Sequence, residues 1–351
     1  MSEKFEVEIA PVSLAAQVAM QERLDHLAKP IKSLGQLEPL AAKLAGIYQS
    51  TDFTVRPRTC LVFAADNGVV EEGVSATPKK VTAIQAVNML NGHTTVAALA
   101  KAYDCQVKVT DVGIDTPQPL PKVLNRRIRR GTRNLLHESA MTVEEAWQCL
   151  SIGRQMAQQE IAAGAQLIIT GELGMGNTTA ASAMMATILH RSAGEMVGRG
   201  SKISDQRLIH KTAVVEQALR RAGFTTTKTP EPLQILQEVG AYELGAMAGA
   251  MLGTAEAGKP LVLDGFLSYA ALLLAREINP RVMDYVIPSH QSHEQASELA
   301  LQALGLAPLI DLQMCVGEGS GAMMMLPWLD GIEAILKNMN TLEEMDFDFI
   351  P

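Results

Sequence analysis

The chain has 351 residues, enough for one large α/β domain or for one large and one small domain. Hydrophobic residues make up 47% and charged residues 19%, a composition that favours a sizeable core and disfavours disorder. The net charge of −8, without any long run of Lys or Arg, disfavours nucleic-acid binding, and no apolar segment is long and uncharged enough to predict a membrane span.

The first fifty residues have the pattern of helices. Apolar residues recur at helical spacing from Leu14 to Leu27 and from Leu37 to Ile47, and a further helix is predicted from Ala322 to about Lys337. We expect residues 1–55 and 325–351 to form a small helical domain, and residues 56–324 to form a large α/β domain.

Six short apolar runs come next, and each ends in Gly, Asp, Glu or Ser before a helical stretch. The runs are Cys60–Ala64, Val107–Thr110, Leu167–Thr170, Leu261–Leu263, Tyr285–Ile287 and Leu312–Val316. Strands that alternate with helices predict a parallel sheet with right-handed crossovers. Because ligands bind at the carboxyl ends of such strands, the polar clusters at the ends of these runs predict an active site.

Two features outside those clusters have ordinary structural interpretations. The basic cluster Arg126 to Arg130 fits a solvated turn or a strand edge. Gly245, Gly249 and Gly253 form a row of small residues on an Ala- and Met-rich helix. This row predicts close packing against the sheet or another helix, with a dimer contact as the alternative.

The segment Gly171 to Thr179 (GELGMGNTT) leaves a predicted strand and opens a helix. Its glycines let backbone N–H groups approach an anion, and a helix N-terminus favours negative charge. It is not a Walker motif, because no Gly-Lys-Ser/Thr follows. A glycine-rich turn with a capping Thr is the alternative to a phosphate site.

A second candidate for phosphate binding is the segment Val197 to Lys202 (VGRGSK), followed by Lys211 on a predicted helix. Two glycines, several cations and Ser201 suit a phosphate clamp. A basic surface loop remains the alternative.

Ser289-His290 follows the fifth predicted strand and raises the possibility of a hydrolase. However, a Gly-x-Ser-x-Gly elbow is missing, and a helix cap explains the serine equally well. The remaining histidines have no metal-ligand spacing, so we expect no metal site.

The segment Gly317 to Gly321 (GEGSG) places Glu318 between two glycines, where a ligand can approach it closely. Apolar neighbours such as Val316 could raise its pKa towards that of a useful general base. An exposed Glu in a turn is the alternative. Gly317-x-Gly319-x-x-Ala322 also fits a dinucleotide fingerprint, but the remaining chain is too short for the rest of that unit, which disfavours an oxidoreductase.

Together these segments resemble one family, the nicotinate-nucleotide–dimethylbenzimidazole phosphoribosyltransferases, from about Lys29 to Asp330. The resemblance rests on motifs at residues 33–38 (SLGQLE), 65–69 (ADNGV), 72–75 (EGVS), 81–85 (VTAIQ), 111–114 (DVGI), 171–179, 263–266 (LDGF), 288–290 (PSH) and 317–321. In two places the chain departs from the family pattern. Asn67 stands where a His is common, and Ile31-Lys32 replaces a usual Pro-Gly.

The resemblance implies a Rossmann-like α/β fold with a six-stranded parallel sheet, a small helical domain and a cytoplasmic homodimer with active sites near the subunit interface. The implied substrates are nicotinate mononucleotide and dimethylbenzimidazole, with no cofactor, metal or nucleic acid. A phosphosugar-binding regulator on the same fold is the non-enzymatic alternative.

The resemblance also assigns residues to roles. Glu318 is the implied general base, and the benzimidazole pocket includes Thr77, Gln85, Leu173 and Met175. The implied phosphate contacts are Gly176, Asn177, Thr178, Gly198, Arg199, Gly200, Lys211 and Ser289. Further substrate contacts are Glu172, Gly174, Asp264 and Gly317.

Overall fold

The computed structural model describes residues 5–200, 202–224, 227 and 230–345. Six strands in these residues form one parallel sheet in the order β3-β2-β1-β4-β5-β6. They are β1 (Arg58–Ala65), β2 (Gln106–Gly113), β3 (Leu124–Asn125), β4 (Leu167–Leu173), β5 (Leu261–Leu263) and β6 (Val286–Pro288). The strand order reverses between β1 and β4, where a doubly wound sheet opens a crevice for a ligand.

Helices cover both faces of this sheet. They are α1 (Leu14–Asp25), α2 (Leu37–Tyr48), α3 (Lys80–Leu90), α4 (Thr95–Ala102), α5 (Val143–Ala162), α6 (Asn177–Ile188), α7 (Ala193–Met196), α8 (Asp205–Arg221), α9 (Pro232–Val239), α10 (Tyr242–Glu256), α11 (Phe266–Ile278), α12 (Ser297–Leu304), α13 (Ser320–Met323), α14 (Leu326–Asn338) and α15 (Leu342–Met345). Two 3₁₀ segments span Gly68–Glu72 and Pro280–Tyr285. Among the described residues, no helix is both long and apolar enough to cross a bilayer.

The inner strands β1, β4 and β5 are buried along their whole length, which explains their continuous apolar runs. Along β1, Leu61 and Phe63 face one hydrophobic core with α5, α6, α10 and α11. Cys60 and Val62 point to the opposite core, which contains residues of α1, α2, α4 and α14. The alternation follows from the two-residue period of a strand. The N-terminal helices and α14 thus share one core. The division into two domains stays a prediction, and residues 1–4 and 346–351 of the predicted small domain lie outside the described residues.

The glycine row on α10 brings that helix against α5. A Cβ at Gly249 would lie 1.9 Å from the carbonyl oxygen of Leu150, and a Cβ at Gly153 would lie 1.8 Å from that of Ala246. Neither position has room for a side chain, since real carbon–oxygen contacts exceed about 3 Å. The close-packing prediction for this row is confirmed.

The predicted strand at Leu312–Val316 is wrong. This run has no regular secondary structure; Leu312 is 52% exposed, and the neighbouring Ile310 carbonyl accepts from Gln291 N–H outside the sheet. The sixth strand is instead β3 at the opposite edge, where two residues pair with Thr110 and Asp111 of β2. A two-residue strand is too short to produce a periodic signal.

Two smaller predictions need adjustment. The helix expected from Ala322 to Lys337 is broken between α13 and α14, because Pro327 occupies the first turn of α14 and cannot continue a preceding helix. The basic cluster does follow edge strand β3, but it is not wholly solvated. Arg127 Nη2 lies 2.7 Å from Oδ2 of the buried Asp111.

Candidate active site

A cavity of about 250 Å³ opens at the carboxyl ends of β4 and β5. Four carboxylate residues from separate parts of the chain line it: Glu172 from β4, Asp264 after β5, Glu294 and Glu318. The rest of its lining is Leu173, Gly174, Met175, Asn177, Thr178, Gly200, Gly265, Phe266, Leu267, Ser292, Cys315, Val316 and Gly317. The cavity lies where the strand order predicts a ligand site.

The turn between β4 and α6 forms one wall of this cavity. Gly176 precedes the first residue of α6 with φ +84°, a left-handed conformation that strongly favours glycine. The side chain of Asn177 donates from Nδ2 to Glu172 Oε2 at 2.5 Å. The predicted helix-capping role of a Thr is wrong, because no side-chain hydrogen bond caps α6.

Glu172 is buried and faces the segment that carries Glu318. Its Oε1 accepts from the Glu318 backbone N–H at 3.3 Å, and a Cβ at Gly317 would lie 2.2 Å from the same oxygen. Burial raises the pKa of Glu172 to about 7; the hydrogen bond from Asn177 opposes this, and the nearby Glu318 and Asp264 add to it. A side chain at position 317 would therefore displace the Glu172 carboxyl from its present position, and a Cβ at Gly171 would lie 2.3 Å from the Glu318 carbonyl oxygen.

Glu318 has φ +68°, an uncommon conformation for a residue with a side chain. Burial raises the pKa of its carboxyl, and the start of α4 at Thr94 and Val96 lowers it less strongly. Its Oε2 is enclosed by protein on the side of Thr94 and Val96, whose hydrogen-bond donors stabilise the ionised carboxyl. Glu318 also lines the cavity, so its carboxyl can accept a hydrogen bond from a ligand there.

Asp264 fixes the turn that carries Glu318. Its Oδ2 accepts from Gly319 N–H and its Oδ1 from Ala322 N–H, both at 3.0 Å. Burial raises the pKa of Asp264, and the neighbouring His290 opposes that shift. Both oxygens are thus committed to the backbone around Glu318.

A smaller cavity of about 50 Å³ adjoins the first one across the β4–α6 turn. It is lined by Val74, Ser75, Ala76, Gly174, Met175, Gly176, Asn177, Thr178, Arg199, Ile203 and Lys211. Lys211 Nζ donates to Thr178 Oγ1 at 2.9 Å and to the Gly198 carbonyl at 3.0 Å. Burial lowers the pKa of Lys211 to about 8, against the opposing field of Glu294. Within the described chain, no carboxylate lies within ion-pair distance of this ammonium.

A family profile described as phosphoribosyltransferase matches residues 9–346. A relative from Escherichia coli, named nicotinate-nucleotide–dimethylbenzimidazole phosphoribosyltransferase, is 42% identical over 95% of this chain and 92% of its own length. A relative of the same name from Clostridium perfringens is 38% identical, covering 93% of this chain and 90% of its own length. The chain belongs to the nicotinate-nucleotide–dimethylbenzimidazole phosphoribosyltransferase family.

The fold agrees with that membership. A crystal structure of CobT from Thermus thermophilus superposes with a TM-score of 0.90 at 40% identity, covering 95% of this chain and 99% of that one. The protein is therefore an enzyme, a phosphoribosyltransferase. The predicted family and the Rossmann-like α/β fold are both confirmed.

The other predicted site residues of the transferase differ in how close they lie to the two cavities. Thr77 Oγ1 lies 2.9 Å from Met175 Sδ, beside the β4–α6 turn. Gln85, on α3, accepts from Asn88 and lines neither cavity. Ser289 is buried and donates to the Leu263 carbonyl at 2.6 Å, while Arg199 is paired with Asp205. Ser201 lies outside the described residues.

Two carboxylates near the cavities escape sequence analysis. Glu294 accepts from Gly200 N–H at 3.3 Å, and a Cβ at Gly198 would lie 2.3 Å from its Oε2. Glu243 is fully buried on α10, directly below Gly174. Both sit in helix or loop segments without a glycine-rich motif, so no local pattern marks them.

Proposed function

We propose that the transferase moves the 5-phosphoribosyl group of nicotinate mononucleotide to dimethylbenzimidazole, giving nicotinate and α-ribazole phosphate with inversion at the anomeric carbon, a step in assembling the nucleotide loop of cobalamin. The names of the relatives supply the two substrates. The observation that carries the proposal is the pairing of two adjoining cavities, one lined by the carboxylate residue Glu318 and one by the buried Lys211.

Glu318 is the proposed general base. Its carboxyl, at the lining of the cavity, can accept the N–H of the benzimidazole and take that proton as the other ring nitrogen bonds to the anomeric carbon. The bond between that carbon and the nicotinate nitrogen breaks at the same time, and its electron pair stays with the pyridine ring. The pyridine nitrogen is cationic in the donor and neutral after departure, so the leaving group needs no acid.

Inversion follows from direct displacement, because attack and departure take place on opposite faces of the ribose. Glu172 and Asp264 line the same cavity as Glu318. We expect Glu172 to orient the ribose or the nucleotide. Since pyrophosphate is not released and the leaving nitrogen changes from cationic to neutral, no negative charge develops on the leaving atom for a divalent metal to neutralise.

The phosphate is proposed to bind at Lys211. An ammonium has three donors, and Lys211 uses two of them on Thr178 and the Gly198 carbonyl. The third donor, the backbone of the β4–α6 turn and the N-terminus of α6 suit a phosphate dianion. The proposed cradle adds Arg199 and Gly200 to these groups. Ser289 stays a prediction from the resemblance, since its hydroxyl donates to the Leu263 carbonyl and it lines neither cavity.

Lys211→Ala should raise KM for nicotinate mononucleotide by about 10–100-fold, since a charge-assisted hydrogen bond contributes about 1.5–3 kcal/mol. KM for dimethylbenzimidazole and kcat should change less, because phosphate binding acts equally on the ground state and the transition state. The matched control is Lys43→Ala, which removes a half-buried lysine on α2 that lines neither cavity. An unchanged nucleotide KM in Lys211→Ala would remove Lys211 from the phosphate site.

Gln85 and Thr77 are proposed to set the preference among acceptor bases. Thr77 contacts the cavity residue Met175, and Gln85 lies one turn along α3 from Thr82, whose Oγ1 accepts from Met175 N–H. Gln85→Ala should change the ratio of kcat/KM between benzimidazole and dimethylbenzimidazole. If steady-state assays with both bases give the wild-type ratio, the assignment of Gln85 is wrong.

The function is tested by incubating the purified protein with nicotinate mononucleotide and dimethylbenzimidazole and following nicotinate release in the presence of EDTA. Turnover is expected without added metal, and the anomeric configuration of the product reports inversion. Saturable nucleotide binding without nicotinate release would favour a phosphosugar-binding regulator. A cytoplasmic homodimer stays a prediction, which light scattering and cell fractionation can check.

A further inference from the structure

The glycines of the β4–α6 turn rest on a buried pair that the proposed mechanism does not use. Asn67, at the end of β1, donates from Nδ2 to Glu243 Oε1 at 2.7 Å, and both side chains are buried. A Cβ at Gly174 would lie 2.3 Å from that carboxyl oxygen, while a Cβ at Gly176 would lie 2.6 Å from Val70 Cγ2 and 3.7 Å from Asn67 Cβ. The pair therefore lies directly beneath Gly174 and, together with Val70, beside Gly176, in the turn that both cavities share.

The surroundings of Glu243 disfavour a negative charge. It makes no ion pair with any described Lys, Arg or His, and its charged neighbours are the carboxylates Glu172 and Asp66. Burial, with a smaller contribution from these carboxylates, raises the pKa of Glu243 to about 8. The hydrogen bonds from Asn67 and from its own backbone N–H, in the first turn of α10, oppose the shift without overcoming it. The neutral acid is the form that this environment stabilises.

Two atoms of the pair point to the same conclusion. Glu243 Oε2 and Asn67 Oδ1 are both buried without a hydrogen-bond partner among the described residues. If the carboxyl is ionised, both atoms are acceptors and neither can satisfy the other. A proton on Oε2 makes it a donor, and the amide oxygen of Asn67 is then its matching acceptor.

We propose that Glu243 is a positioning residue for the transfer reaction, held as a neutral carboxylic acid in a cyclic, doubly hydrogen-bonded pair with Asn67 that supports Gly174 and Gly176. Asn67 donates to Glu243 Oε1, and the protonated Oε2 donates back to Asn67 Oδ1. The expected effect of this pair on turnover rests on the proposed function. The protonation state of Glu243 does not depend on the proposed function.

A second contact holds the β4–α6 turn in place through Met175. It does not depend on the Asn67–Glu243 pair. Met175 N–H donates to Thr82 Oγ1 at 3.4 Å, and Thr82 donates in turn to Asp66 Oδ1 at 2.8 Å. Loss of the Glu243 pair should therefore displace the cavity wall without unfolding α6. A displacement of about 1 Å far from the reacting atoms can lower a rate about 10²-fold.

The decisive comparison is Glu243→Leu against Glu243→Gln. Leu fills the site without hydrogen bonds, and kcat/KM for dimethylbenzimidazole should fall about 10²-fold. Gln is neutral and keeps both hydrogen bonds, since its oxygen accepts from Asn67 and its NH₂ donates to Asn67 Oδ1. The conservative variant should therefore recover most of the lost activity. An equally deep loss in Glu243→Gln, with a native thermal melt, would show that the carboxylate is needed as an anion and would overturn the proposal.

Infrared difference spectra test the protonation state even if Glu243→Leu fails to fold. The wild-type spectrum minus that of Glu243→Gln should contain a protonated-carboxylic-acid carbonyl band at about pH 7, below the raised pKa of Glu243. The matched control is Glu160→Gln. Glu160 is also buried but is paired with Lys108 at 2.5 Å, so the wild-type spectrum minus that of Glu160→Gln should contain carboxylate bands instead. Absence of the acid band for Glu243 overturns the proposal. If the band is present but wild type releases no nicotinate, the failure belongs to the proposed function and not to the neutral pair.

Discussion

Glu318→Gln should lower kcat by about 10²–10⁴-fold, the usual contribution of a general base, while the protein stays folded. The amide keeps the size of the side chain and one acceptor oxygen, but it cannot take the acceptor's proton. The left-handed backbone at Glu318 and the contact of Glu172 with its backbone N–H should persist, because neither involves the Glu318 carboxyl. Nicotinate release measures the loss, and circular dichroism checks the fold.

Glu172 is the carboxylate that competes for the same role. Glu172→Gln should reduce activity less, through nucleotide binding, because both Glu172 oxygens already accept from Asn177 and from the Glu318 backbone. Near-normal kcat in Glu318→Gln together with a collapse in Glu172→Gln would transfer the base role to Glu172.

The pH profile offers a further check on the base. A base must be ionised, and burial raises the pKa of Glu318, so activity should fall towards acid pH from a midpoint above the ordinary carboxyl range. Protonation of Glu172 should also lower activity on the acid side of the profile, since burial raises its pKa to about 7. The residual activity of Glu318→Gln should lack the contribution of Glu318 to this limb.

The sequence predicts the fold where the signal is local. Five of the six predicted apolar runs coincide with strands, because strands buried on both faces are continuously apolar. The run at Leu312–Val316 misleads because its apolar residues lie along the cavity mouth and on the surface. Edge strand β3 is missed because a pair of residues has no measurable period.

The candidate site, like the fold, can be predicted from the sequence only where a local motif marks its residues. Glu172 and Glu318 are visible in sequence because glycines flank them, and those glycines are required by the contact between their two segments. Glu243 and Glu294 carry no such mark. Asn67 and Glu243 are 176 residues apart, so their contact exists only once α10 packs beneath β1 and β4. Long-range polar pairs of this kind need the three-dimensional structure to be found.

Asp264→Ala should abolish most activity, although Asp264 is not the proposed base. Its two oxygens accept from Gly319 and Ala322, and their removal leaves both buried N–H groups unpaired at about 1–3 kcal/mol each. Glu318 holds a left-handed conformation that disfavours the native turn by about 1–2 kcal/mol, and Asp264 supplies the hydrogen bonds that offset it. Without them the Glu318 carboxyl should leave its position in the cavity.

The expected result for Asp264→Ala is a fall in kcat about as deep as in Glu318→Gln, with a lower Tm. The double variant Asp264→Ala/Glu318→Gln should then lose little more than either single change, since both act on one step. Ser320→Ala is the matched control, because Ser320 is buried in the same turn and its Oγ has no partner among the described residues. It should retain wild-type kcat. Strictly multiplicative losses in the double variant would show that Asp264 acts independently of Glu318, by contact with the substrate and not by positioning the base.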